Sequence, residues 1–213
     1  MAAKKIPELR RCIEDTLPQQ PDMEQLALNE DGNINNLGNN FYLFVFPSIT
    51  DKLRVLYQKP WSVQNKLIVL KEWPIGGTLE EIDFSIEDFW IQVHNILMSL
   101  ISKNNATMIG GLFPVYHYSN VSEESVVQWD GNLNIRAAIR VDDPLKVGFA
   151  LKRVDRADVN VQFKYKRMPE FCYSCGRIGH ALKECWFDNS LFKRAGKYGP
   201  WLRAGSKEKK RQE

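Results

Sequence analysis

Cys172, Cys175, His180 and Cys185 stand within fourteen residues, in the spacing Cys-x2-Cys-x4-His-x4-Cys. Thiolate and imidazole are donors that zinc prefers, and three sulfurs with one nitrogen fill a tetrahedral shell. The Cys-x2-Cys pair lets one tight turn offer two thiolates to one metal. Gly176 and Gly179 give that loop access to positive φ. All four positions are protein donors, so the expected site is closed and structural: one Zn2+, with no open position for a catalytic water. So short a loop cannot bury a core. The metal must supply its folding free energy, on the order of 10–16 kcal/mol apparent in zinc-finger peptides. A redox Cys-x-x-Cys would leave the third thiol and the histidine without a role, and with Cys12 alone elsewhere no disulfide framework is expected.

Charge marks the same end of the chain. Residues 164–213 hold 13 Lys/Arg and 5 Asp/Glu, net +8, which leaves 16 against 21, net −5, for residues 1–163. This asymmetry fits an anionic partner; the run "GSKEKKRQE" (205–213) equally fits a solvated end. Just before the cluster, "NVQFKYKR" (160–167) alternates, with Val161, Phe163 and Tyr165 on one face and Gln162, Lys164 and Lys166 on the other. The second face reads either as a solvated strand or as a basic ledge leading a nucleic-acid strand toward the cluster.

The elements that must position these residues read as α+β, with more strand than helix. Residues 1–36 read as weakly ordered: "IPELRRCIEDTL" (6–17) fits a short amphipathic helix ended by Pro18, and "NEDGNINNLGNN" (29–40) reads as turns. Strands are expected at "FYLFVF" (41–46), "KLIVLKEW" (66–73), "FWIQVHNI" (89–96), near 112–118, and at "NLNIRAAIRV" (132–141). A hairpin joins "FALKRV" (149–154) to 160–167, and helices are expected at 48–58 and around 98–110. Trp61, Trp186 and Trp201 are expected to pack. The boundaries that follow are an α+β domain over 37–167, a knuckle over 168–190 and a basic, disordered tail over 191–213. The longest apolar runs suit strands rather than membrane spans, and the N-terminus lacks the apolar core of a secretory signal. The expected setting is intracellular, nucleus or cytoplasm, without membrane contact; "KEKKR" (207–211) is a weak nuclear-import signal.

"CYSCGRIGHALKEC" resembles the zinc knuckle of retroviral and retrotransposon nucleocapsid proteins. With "DKLRVL", "KPWSVQNKLIVLKEW", "DFWIQVHNI", "VDDPLKVGFALKR", "VQFKYKRMPEFCYSCGRIGH" and "KYGPWLRA", residues 37–204 resemble the plant family that pairs a domain of unknown function with a CCHC zinc knuckle, gag-like products of LINE-type retrotransposons. The resemblance implies an RRM-like, ferredoxin-like β-α-β-β-α-β sheet with "FYLFVF" as third strand and "KLIVLKEW" as fourth. Nothing before residue 30 reads as a buried first strand, so the sheet is expected to lack it or to have it filled from elsewhere. In the knuckle the resemblance implies that Tyr173 and Leu182 hold an unstacked base, a stack being worth about 1–3 kcal/mol. Arg177 and Lys183 are placed to meet phosphates.

Two functions stay open at this point. One is zinc-dependent binding of single-stranded RNA or DNA; the other is a protein-interaction adaptor that uses the same knuckle on a protein partner. No enzyme is expected and no small-molecule substrate: His94 and His117 are isolated, and no nucleophile elbow or phosphate-binding loop is present.

Overall fold

The computed structural model describes residues 2–5, 33–121, 133–187 and 196–205. Its strands form two five-stranded antiparallel sheets rather than the single mixed sheet expected. The first contains β1 (Ala2–Lys5), β2 (Asn33–Gly38), β3 (Phe41–Val45), β4 (Trp61–Val63) and β5 (Lys66–Lys71), in the order β2-β3-β1-β5-β4. Helix α1 (Ile49–Tyr57) starts at Ser48, whose hydroxyl accepts the Asp51 amide at 3.1 Å, and covers one face with Val55. Phe44, Val55, Ile68 and Leu70 form the small core beneath it, and the indole N–H of Trp61 donates to the Val55 carbonyl at 2.9 Å.

A strand does precede residue 30, against expectation: Ala2–Lys5. β1 lies between β3 and β5, with Ala2 opposite Leu43 and Ala3 opposite Leu70. Residues 33–36, also expected to be weakly ordered, belong to β2. The expected helix at 6–17 lies outside the described residues, as do 206–213 of the basic tail.

The second sheet contains β6 (Ile86–His94), β7 (Val115–Ser119), β8 (Leu133–Arg140), β9 (Gly148–Leu151) and β10 (Val159–Tyr165), in the order β7-β8-β6-β10-β9. Helix α2 (Lys103–Gly110), capped by Ser102, packs Ala106 and Ile109 beneath it. β6 alternates without a fault, burying Glu87, Phe89, Ile91 and Val93. β5 joins the sheets. Its central residues Leu67 to Leu70 are all buried, with Leu67 and Val69 in the large core and Ile68 and Leu70 in the small one. A strand buried on both faces needs a continuous apolar run, which "LIVL" supplies. Glu87, 0% exposed, adds a polar tie: it accepts the Leu70 amide at 2.6 Å and the Asp88 amide at 2.8 Å, with Lys59 Nζ at 3.2 Å.

Candidate metal centre

The four expected ligands converge. The ligand atoms of Cys172, Cys175, His180 and Cys185 all lie within 4.8 Å of one another. Tetrahedral zinc with Zn–S of 2.3 Å sets ligand sulfurs about 3.8 Å apart. His180 presents Nε2, which is 3.3 Å from Cys175 Sγ. Cys172, Cys175 and His180 are buried and Cys185 is half-buried.

Local backbone bonds build this cup. Gly176 N–H donates to the Cys172 carbonyl at 2.9 Å and Cys172 N–H to the Arg177 carbonyl at 2.8 Å, closing the turn that carries two thiols. The Ser174 amide points at Cys172 Sγ, 3.4 Å away. Gly176 has φ +75°, and a Cβ there would sit 2.4 Å from the Tyr198 ring; glycine is required twice over. A one-turn 3-10 segment, Leu182–Glu184, then brings Cys185 back to the others.

The electrostatics fit a cation. Burial pushes the Cys175 thiol up to about 12, and the crowded sulfurs of Cys172 and Cys185 add to the rise. Three thiolates cannot be held together in such a pocket unless a divalent ion compensates them. Burial also holds His180 below its ordinary value, so its imidazole stays neutral with a nitrogen lone pair available. The donor set fits one structural Zn2+.

The knuckle is not a bead on a string. Phe171 and Ile178 belong to the large core, joined by an antiparallel bridge. Leu145 N–H donates to the Gly176 carbonyl and Arg177 Nε to the Asp142 carbonyl, both at 2.9 Å. The β4–β5 turn holds the other side: Glu170 N–H donates to the Asn65 carbonyl at 2.7 Å, and Lys66 reaches Glu170. Residues 196–205, assigned to a disordered tail, fold back over the knuckle. Tyr198 and Leu202 are buried in the core, Ala204 N–H donates to the Tyr165 carbonyl at 2.9 Å, and the Arg203 guanidinium lies over Phe171 and donates to the Met168 carbonyl.

The expected nucleic-acid contacts are not brought to one place. Tyr173 and Leu182 are exposed, at 41% and 58%, and Lys183 is exposed. Arg177 is half-buried, bonded to Asp142 and 3.9 Å from the centroid of Phe187. Lys164 is only 6% exposed, and Lys166 is half-buried over Trp90. The basic ledge is thus not a solvated face. Its neighbours Asn134 and Arg136 are buried too, with Arg136 donating to the Lys59 carbonyl at 2.7 Å. Trp186, expected to pack, is 61% exposed. The signal for it was there, an aromatic pair "WF" directly after the last ligand.

A family model described as a zinc knuckle matches residues 139–187, and one described as a domain of unknown function (DUF4283) matches residues 23–81. No curated protein and no solved structure matches the chain. The knuckle match begins inside β8 and takes in the β9–β10 hairpin, in keeping with the way the zinc loop is built onto that sheet. The chain carries a CCHC-type zinc knuckle preceded by a domain of this unknown-function class.

Proposed function

We propose that the protein binds single-stranded nucleic acid, RNA or DNA, through the zinc-ordered knuckle, and that it derives from a plant retrotransposon gag-like product. The observation that carries this reading is the closed Cys3His cup with Tyr173, Leu182 and Lys183 exposed around it, at the basic end of the chain. An exposed aromatic offers a stacking surface to any base, and flanking cations meet phosphates. A single knuckle makes few phosphate contacts, so binding is modest in affinity and falls with salt.

The first sheet supports an RRM-like reading. Its order β2-β3-β1-β5, with the first strand central, is that of a β-α-β-β-α-β sheet whose third and fourth strands are 41–45 and 66–71. Its role in this proposal is to brace the knuckle. In this proposal the chain works inside the cell as a binding protein, and its zinc is structural, since all four metal positions are taken by protein and none is left for a catalytic water. No helix among the described residues is long and apolar enough to cross a membrane.

The adaptor reading gives the same exposed knuckle residues to a protein partner; a groove of about 710 Å³ between α1 and β7, lined in part by Leu53, Leu56, Tyr57 and Tyr118 and by no knuckle residue, offers such a partner a second surface. Fluorescence anisotropy of a labelled single-stranded RNA with the full chain separates the two. Binding that chelation abolishes and Tyr173→Ala weakens supports the knuckle. Absence of binding at low salt, with zinc present, rules this reading out in favour of the adaptor.

A further inference from the structure

We infer that Trp186, outside the metal loop, is the main base-stacking platform of this knuckle, and that zinc sets its orientation. The inference rests on the nucleic-acid reading above and names the residue that does its stacking. Trp186 follows the last ligand directly, and its ring centroid lies 4.9 Å from that of His180 at an interplanar angle of 33°. It also lies 5.3 Å from Phe187 at 28°.

The three distances together show which face is free among the described residues. His180 and Phe187 are 6.1 Å apart. Two rings sandwiching an indole would stand roughly 10 Å apart, twice a stacking distance. Both therefore lie to one side of Trp186, which agrees with its 61% exposure. Phe187 is itself held from beyond by Arg177, whose guanidinium lies 3.9 Å from its centroid and is tethered to the Asp142 carbonyl. Among the described residues one face of Trp186 is thus open, and the other is backed by two anchored rings: the metal ligand His180, and Phe187 held by the sheet-bound Arg177. Such preorganisation removes the ordering cost of capturing a base. Tyr173 is less suited, being less exposed and set edge-on to Phe171 at 5.1 Å.

Zinc enters through His180, itself one ring of this stack, and through Cys185, which directly precedes Trp186. Loss of the metal frees the imidazole on which the indole leans. Zinc dependence of binding then follows from the platform itself, beyond general folding of the loop.

The test uses the full zinc-loaded chain and a labelled single-stranded 12-nucleotide RNA, read by anisotropy, with zinc content measured on every variant. W186A is expected to weaken binding about 5- to 150-fold, the range of one lost base stack. W186F, which keeps a π-face, should stay within a few-fold of the parent. W186L, which keeps bulk without a π-face, should behave like W186A. All three should retain one zinc. If W186A and W186L bind as the parent does while chelation abolishes binding, the platform assignment is overturned and the knuckle reading stands. If the parent itself binds no RNA or DNA, both are overturned. If W186F and W186L fall equally, the contact is not stacking, and the assignment fails in favour of a packing role.

Discussion

Lys66 Nζ lies 2.5 Å from Glu170 Oε2 and 3.0 Å from the carbonyl oxygen of Gly179, so the first residue of β5 clamps the metal loop from the opposite sheet. The two side chains are 22% and 32% exposed, and the pair spans more than a hundred residues of sequence. A partly shielded, charge-assisted bond of this kind contributes about 1–2 kcal/mol. Lys66→Ala is therefore expected to lower stability by that amount and to speed zinc loss to a chelator, because Gly179 adjoins His180. Stopped-flow zinc transfer to a colorimetric chelator measures it. An unchanged transfer rate would show that the clamp positions the knuckle without gating its metal.

Removing zinc should reach far beyond the loop. Phe171 and Ile178 sit in the same core as Phe89, Ile135 and Phe163, and Tyr198 and Leu202 close over them. Chelation, or Cys175→Ser, should lower the melting temperature of the sheet itself. Each kcal/mol is about 2–4 °C for a chain of this size, so several kcal/mol correspond to on the order of 10 °C. Hydrogen exchange at β10 amides gives the local readout. A β10 that keeps its full protection in the metal-free protein would show the knuckle to be an independent module after all.

Gly176 offers a sharper probe of how the loop is seated. Alanine there meets both a disfavoured φ of +75° and the Tyr198 ring at 2.4 Å. The combined cost is about 1–3 kcal/mol. Tyr198→Ala in the same chain relieves the clash and leaves the backbone strain. The double variant should thus cost less than the two single changes added together, which a double-mutant cycle by urea unfolding decides.

Acid stability depends on two neighbouring carboxyls with opposite signs. Burial pushes Asp88 up, but Lys59 and His117, with Nε2 2.8 Å from Oδ1, outweigh it and hold the group below its ordinary 3.8. Its contribution is present above that value and is lost as pH falls through the lower folded one. Burial raises Glu87 above 4.5 against the pull of Lys59, so Glu87 costs stability as pH rises from there toward its folded value. Asp88→Asn should shrink the loss of stability as pH falls below the ordinary 3.8 of this carboxyl. Glu87→Gln should shrink the decline as pH rises above the ordinary 4.5 of this carboxyl, whatever its cost at fixed pH. Urea melts of both variants across this range decide, and zinc release in acid is common to all three chains. Slopes identical to the parent would remove these carboxyls from the account.

What could be read in the sequence was what local pattern encodes. The ligand set needed only spacing, and β6 and β8 needed only alternation, as Leu133, Ile135, Ala137 and Ile139 show. β1 could not be read. Ala-Ala-Lys-Lys has neither apolar alternation nor strand propensity, and it is a strand because β3 and β5 pair with it from both sides. Lys164 was assigned correctly to the face opposite Phe163, but alternation says nothing about what covers a face. The seat of Tyr198 and Leu202 is likewise set by tertiary contacts that no window of sequence contains.

The contrast between Lys164 and Lys183 gives the last expectation. Both were candidate phosphate contacts, yet Lys164 is 6% exposed and Lys183 is on the knuckle surface. A lysine that neutralises a phosphate contributes about 0.7 to the slope of log affinity against log salt for a single strand. Lys183→Ala should reduce that slope by about 0.7 with little change in melting temperature. Lys164→Ala should leave the slope alone and lower stability instead, since it removes a buried, partnered group from β10. Anisotropy titrations at four salt concentrations, paired with thermal melts, resolve the two effects. A slope change in Lys164→Ala would restore the basic ledge, and none in Lys183→Ala would move the strand's path away from the Leu182–Glu184 turn.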